Sequence, residues 1–296
     1  MTSPALSAST RFTQFLGNLA LTDAQRDDGA IKHSSVRRVL NEHYWNLSSG
    51  SANSMLVGSW GKSTEVRPPR DIDVLFTLPD RVYERFQAVP WPRNKQSELL
   101  QEVKRVIAAT YGSTTIRGDG QVVVVGFTSY AVEVVPAFDI GGGRYWICDA
   151  NNGGSYKTIT PDAEQQAVRS ANDRTKGNTR ALIRMMKAWQ KCCSVPVKSF
   201  WLELLAVDFL NSWGHAGQTA IYYDWMVRDF LAYLVRRASG FVFVPGTLEP
   251  IALGDAWKSR AETAHARALK ACAATSEIEA GIEWQKIFGD QMPVWP

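Results

Sequence analysis

The sequence predicts an α+β protein of two lobes, the first mixing strands with helices and the second helical. Two observations carry this. Residues 55–140 contain several short apolar runs, some alternating with polar residues, separated by helical stretches. Beyond the polar stretch 151–155, almost every apolar stripe has helical spacing. Strands with helices followed by a run of helices indicates an α+β lobe and then an all-helical one. The expected domains are therefore 1–155, with N-terminal helices included, and 156–296. A ligand cleft between the lobes is the ordinary place for function.

The elements follow in order. Residues 9–46 read mostly as helix, with Val36, Leu40 and Tyr44 marking an apolar stripe. A Ser/Gly/Asn run at 48–54 ends that pattern. Strands are expected at 55–58, 71–78, 122–127 and 131–135, with one more at 144–148. Helices are expected near 80–88 and 95–110. The second lobe reads as helices at 162–174, 178–192, 199–213, 221–237, 255–275 and 278–288.

Composition narrows the function. Apolar residues make up 45% of the 296, enough for a sizeable core. The net charge of +4 suits a phosphate-bearing ligand without requiring nucleic acid. No apolar run reaches the length of about 18 residues that a membrane span needs. The most apolar helical stretch, 200–210, carries Glu203 and Asp208. The N-terminal residues, rich in Ser, Thr and Ala, lack the apolar stretch of a signal peptide. Cys148, Cys192, Cys193 and Cys272 form no CxxC pair, and the adjacent Cys192 and Cys193 are expected as buried free thiols. His33, His43, His215 and His265 show no metal-ligand spacing. A cytoplasmic enzyme in a reducing compartment is expected.

The stretch from Gly58 to Phe76 holds most of the chemistry. Gly61-Lys62-Ser63 resembles the end of a phosphate-binding P-loop, but the required upstream glycine is replaced by Leu56. Asp71-Ile72-Asp73 is more informative. On a strand, Ile72, Val74 and Phe76 face one way and the two aspartates share the other face. Carboxylates so close repel unless a cation lies between them, and Mg²⁺ is the usual cation beside nucleotide phosphates. Taken alone, such a pair is more often a solvated strand face. Ser59, with Gly58, lies upstream in a turn whose hydroxyl and backbone N–H groups suit a phosphate chain. An ordinary Gly-Ser turn has the same sequence. Glu133 alternates with Val132 and Val134, and a shared metal would explain an acid in that apolar run. A solvated face would explain it too, and Asp139 is the next acid along.

Together, Gly58-Ser59, Thr64, Asp71-Ile72-Asp73 and the run from Val132 to Pro136 resemble the DNA polymerase β-like nucleotidyltransferases. More narrowly they resemble the bacterial cGAS/DncV-like nucleotidyltransferases, or CD-NTases. Leu182 to Trp189, with Lys187, is similar to the family's helix bearing a triphosphate-contacting lysine. Ser199 to Glu203 is similar to the segment after it, and Glu283 to Gly289 to the closing motif. The third acid is often Asp in that family, whereas here it is Glu133.

The resemblance implies a two-lobed fold with a mixed-sheet catalytic lobe, a helical lobe and the active site in the cleft between them. It implies Asp71, Asp73 and Glu133 as catalytic metal ligands for Mg²⁺, with Mn²⁺ as a substitute. Gly58, Ser59, Lys187 and Ser199 would bind nucleotide. The implied reaction joins NTPs, ATP and/or GTP among them, into a cyclic oligonucleotide with pyrophosphate release. Its setting would be bacterial anti-phage (CBASS) signalling, with a regulatory protein partner and a separate effector protein.

On its own, Lys187 also reads as a surface lysine lying along an apolar stripe. Lys62, Arg67 and Arg70 read equally as phosphate neutralisers or as solvated loop residues. Tyr222 and Tyr223 could stack on a base, although core packing suits them as well. The same metal site would serve a linear-product nucleotidyltransferase acting on RNA or a small molecule. An RNA-binding module and a DxD glycosyltransferase are the competing classes, and the latter lacks its usual upstream glycine turn.

Overall fold

The computed structural model describes residues 4–90, 92–112 and 115–295, so the first three residues of the Ser/Thr/Ala-rich N-terminus lie outside it. The chain forms two compact units, one comprising 21–63 and 69–165, the other 1–20, 64–68 and 166–296.

The first unit is built on a seven-stranded mixed sheet. Strand β1 (Ser54–Leu56) runs antiparallel to β2 (Asp71–Thr77). The middle of the sheet continues through β3 (Thr115–Asp119), β4 (Val122–Gly126) and β5 (Ala131–Asp139). β5 lies parallel to β2 on one side and antiparallel to β4 on the other, and β4 pairs with β3. The antiparallel strands β6 (Tyr145–Asp149) and β7 (Ser155–Ile159) extend from the far end of β5.

Helices cover one face of this sheet. Val36, Leu40 and Tyr44 of α2 (Asp23–Trp45) and Leu99, Val103 and Ile107 of α5 (Lys95–Thr110) belong to one buried cluster with Ile72, Val74, Phe76, Val132 and Val134. The alternation read in β2 and β5 is therefore the alternation of a core face and an acid-bearing face. The short α3 (Gly58–Lys62) follows β1, and α4 (Asp80–Gln87) follows β2.

The second unit is helical. It contains α1 (Pro4–Leu19), most of α6 (Pro161–Arg174), α7 (Asn178–Cys192), α8 (Ser199–Ser212), α9 (Tyr223–Arg237), α10 (Lys258–Ala273) and α11 (Glu277–Phe288). A two-stranded hairpin, β8 (Phe241–Phe243) with β9 (Pro250–Ala252), completes it. Phe12, Phe15, Trp189, Trp257 and Trp284 are buried together in its core.

Several details depart from the sequence reading. The single N-terminal helix is two, because Thr22 caps α2 in a reciprocal capping box with Gln25. β5 runs past Pro136 to Asp139. Pro136 lies between the last β4 partner, Val134, and the first β6 partner, Ala137, so on that edge its missing N–H breaks no ladder. β3, β7 and the β8–β9 hairpin were not expected. The compact units also do not follow a 1–155 and 156–296 division. Residues 1–20 join the helical unit because α1 buries Phe12, Phe15 and Leu19 in its core.

Phe12 tests that placement. It is fully buried and meets Trp284 edge-on at 5.1 Å between ring centroids. Phe12→Ala is expected to destabilise the helical unit by about 3–5 kcal/mol in denaturant unfolding. A negligible change would place α1 outside that core.

Candidate active site

The acids of the site come from one strand pair. β2 and β5 run parallel with Asp73 opposite Glu133 and Asp71 opposite Ala131. Ile72, Val74, Val132 and Val134 are fully buried on the core face, so Asp71, Asp73 and Glu133 share the other face. Asp71 is exposed, while Asp73 and Glu133 are half-buried. The expected grouping of these three residues on neighbouring strands is what the register produces. Asp139 is six residues beyond Glu133, about 20 Å along the strand. One of its carboxylate oxygens accepts the Gly141 N–H at 2.8 Å. Asp139 is therefore remote from the DxD pair.

The Gly58-Ser59 turn lies directly against Asp73. The Val57 N–H donates to the Asp73 carbonyl at 2.9 Å. Gly58 has φ +56°, and a Cβ built on it would fall 1.9 Å from Asp73 Oδ2. Both facts require glycine here. Ser59 begins the second position of α3, which is anchored by Trp60. That indole fits over Gly29, where an added Cβ would lie 2.6 Å from Trp60 Cη2. It also meets His33 and Tyr130 edge-on. Burial, aided by the nearby Arg37 guanidinium, lowers the His33 pKa to about 4, so the ring beneath α3 is neutral at neutral pH.

The flanking cations divide. Lys62 is buried and pairs with Glu164 at 3.3 Å. The Arg67 guanidinium donates twice to the Asn18 carbonyl, at 2.8 and 3.1 Å. Both are engaged in packing, and Arg70 is exposed.

Lys187 and Ser199 belong to the helical unit. The Lys187 ammonium is buried, 2.7 Å from Glu203 and within hydrogen-bond reach of the Thr64 hydroxyl and carbonyl, at 2.9 and 3.2 Å. Its three donors thus have three protein acceptors. The Ser199 hydroxyl donates to Gln190 at 2.8 Å. Tyr222 stacks on His215, and Tyr223 donates to Asn178 at 2.9 Å, so both aromatic rings have protein partners. Cys192 is exposed and Cys193 half-buried, which corrects the expectation of buried thiols; Cys192 is the last residue of α7 and Cys193 its C-cap.

A divalent cation fits the acid face by its chemistry. All three side chains are carboxylates, the hard oxygen ligands that Mg²⁺ takes, and the register sets them on one face of adjacent strands. Among the described residues no group of three or more His, Cys, Asp or Glu side chains is gathered closely enough to hold a metal ion by itself. Mg²⁺ needs only one or two carboxylates from the protein when waters and substrate phosphates complete its shell.

A mixed sheet bearing this acid face, with helices following it in the chain, is the arrangement of the polymerase β-like fold. The description "Second Messenger Oligonucleotide or Dinucleotide Synthetase domain" (SMODS) matches residues 6–172, and the chain belongs to this family. A protein of Bacillus cereus (strain VD146), described as a probable cyclic nucleotide synthase, is 23% identical over 80% of this chain and 81% of its own. Escherichia coli MS115-1 CdnC, in a complex with HORMA-deltaN, superposes with a TM-score of 0.73 at 17% identity, covering 96% of this chain and 98% of that one. Vibrio cholerae DncV in its apo form gives a TM-score of 0.75 at 14% identity, covering 97% and 96%. The chain is a CD-NTase, a nucleotidyltransferase that makes a cyclic oligonucleotide second messenger, and divalent-metal dependence goes with the family. CBASS signalling is the setting that membership implies. No helix among the described residues is long and apolar enough to cross a membrane.

Glu203, the ion-pair partner of Lys187, was not singled out from the sequence. Its signal was present, because an acid in the apolar stretch 200–210 needs a cation.

Gly58→Ala tests the close approach. The substitution adds strain at a left-handed φ, costing about 1–2 kcal/mol, and pushes the Asp73 carboxylate aside. Product formation is expected to fall on the order of a hundredfold, with the fold retained by circular dichroism. Wild-type turnover would contradict the geometry.

Proposed function

We propose that the chain joins NTPs, ATP and/or GTP among them, at the carboxylate face of the β2–β5 pair, with pyrophosphate release. One observation carries this reading: Asp73 stands opposite Glu133 in register, with Asp71 on the same face and the Gly58 turn against Asp73. Asp71, Asp73 and Glu133 would hold Mg²⁺, with Mn²⁺ as a substitute. Bound there, the metal supplies charge stabilisation for the ionising acceptor hydroxyl and the departing pyrophosphate. Gly58 and Ser59 would orient the donor triphosphate through the turn's N–H groups and the Ser59 hydroxyl. Lys187 and Ser199 are proposed as nucleotide-binding groups of the helical unit.

CdnC forms a complex with HORMA-deltaN, and this likeness supports a regulatory protein partner here as well. DncV, a cyclic AMP-GMP synthase, is also seen in complex with nonhydrolyzable GTP, which supports nucleotide as the substrate class. A separate effector protein would read the product, and the cytoplasm is the proposed location.

The decisive experiment incubates the protein with all four NTPs and Mg²⁺ or Mn²⁺, followed by mass spectrometry of phosphatase-resistant products. Asp71→Ala/Asp73→Ala is expected to abolish product while keeping or raising the melting temperature, because removing adjacent carboxylates relieves repulsion. Turnover near wild type would reject the metal reading. Glu133 is tested separately. Glu133→Gln keeps the shape and removes the charge, so chemistry is expected to collapse while donor NTP binding survives. Glu133→Asp shortens the reach by about one methylene and is expected to retain more activity than Gln, since the carboxylate is kept. Equal, wild-type activity in both would remove Glu133 from the ligand set.

A further inference from the structure

Residues 64–68 are part of the helical unit, although the chain on both sides of them belongs to the sheet unit. This short segment joins the turn bearing Ser59 to the strand bearing Asp71. Its anchors are numerous. The Lys187 ammonium donates to the Thr64 hydroxyl and carbonyl. The Thr64 hydroxyl in turn donates to Glu203 at 3.2 Å, and Glu203 pairs with Lys187 at 2.7 Å. Further along, the Arg67 N–H donates to the Leu19 carbonyl at 2.8 Å, and Val66 packs against the helical core. Thr64 is fully buried, and Glu203 and Lys187 are nearly so.

We infer that Glu203 is a positioning residue for nucleotidyl transfer: through Lys187 and Thr64 it fixes the segment that sets where Ser59 and Asp71 lie. The inference rests on the catalytic reading of Asp71 and Ser59. A buried ammonium, carboxylate and hydroxyl that answer one another hold a single arrangement, because each alternative leaves a buried polar group without its partner. Only two residues, Pro69 and Arg70, separate the end of the segment from Asp71, so a shift within it has little chain in which to dissipate. A displacement near 1 Å at a reacting group is enough to cost about a hundredfold in rate.

This role differs from direct contact with nucleotide. Loss of a phosphate contact would raise the KM for NTP, whereas loss of position would lower kcat and loosen the segment before any nucleotide binds. Two variants separate these. Glu203→Gln keeps the shape and removes the charge that balances Lys187. Thr64→Val is nearly isosteric and leaves the Lys187–Glu203 pair intact.

Amide hydrogen exchange of the nucleotide-free full chain is measured alongside steady-state kinetics. In both variants exchange is expected to quicken across 64–71 while α7 and α8 stay protected. kcat is expected to fall on the order of tenfold to a hundredfold, with KM within about twofold of wild type. Unchanged exchange across 64–71 in Thr64→Val would overturn the inference, as would a fall in activity carried only by KM. If Glu203→Gln does not fold, Thr64→Val alone decides. The exchange measurement needs no turnover. A wild-type protein that made no product would therefore count against the proposed function and leave the clamp to be judged on exchange.

Discussion

The in-register parallel pairing of β2 and β5 is the constraint on which the rest of the structure depends. Ile72, Val74, Val132 and Val134 are all completely buried on one face of that pair. Each such side chain contributes roughly 1.5–3 kcal/mol over an exposed one. A one-residue slip of either strand would turn its whole apolar set out of the core. The core therefore enforces the register, and the register sets Asp73 beside Glu133. Like charges on neighbouring strands are unfavourable in themselves. The apolar face holds together an arrangement that the acid face alone would oppose.

The surrounding parts accommodate that arrangement. Gly58 gives up a side chain so that the turn can lie against Asp73. Trp60 anchors the same turn from below, against a neutral His33. In the helical unit, the buried pair of Lys187 and Glu203 holds Thr64, the first residue of the segment that returns the chain to Asp71. Such buried ionic groups seldom add stability compared with an apolar replacement. Their value here is the specificity with which they fix one backbone segment.

Much of this was legible in the sequence, for identifiable reasons. Asp71, Asp73 and Glu133 alternate with Val and Ile, so their shared face followed from strand geometry. The strands β3 and β7 were not legible. β3 contains Gly118, and its pairing with β4 is closed by the two-residue turn Gly120-Gln121, with Gly at the first position and no Asn-Gly or Asp-Gly pair at its centre. β7 is an edge strand with polar Ser155, Lys157 and Thr158, and lacks the apolar run of a central strand. The compact units were hidden because residues 1–20 and 64–68 join the helical unit through packing over long sequence separation. Lys187 stood out as a cation at the edge of an apolar stripe. Its engagement with Glu203 and Thr64 depends on bringing three distant segments together.

The central claim is that the register of two strands creates a metal-binding carboxylate face. Mn²⁺ binding followed by electron paramagnetic resonance, with a nonhydrolysable nucleotide present, tests it most directly. The account predicts tightly bound Mn²⁺ in the wild-type chain and its loss in Asp73→Asn, which preserves shape and removes one charge at the centre of the face. Mn²⁺ bound equally well by Asp73→Asn would contradict it.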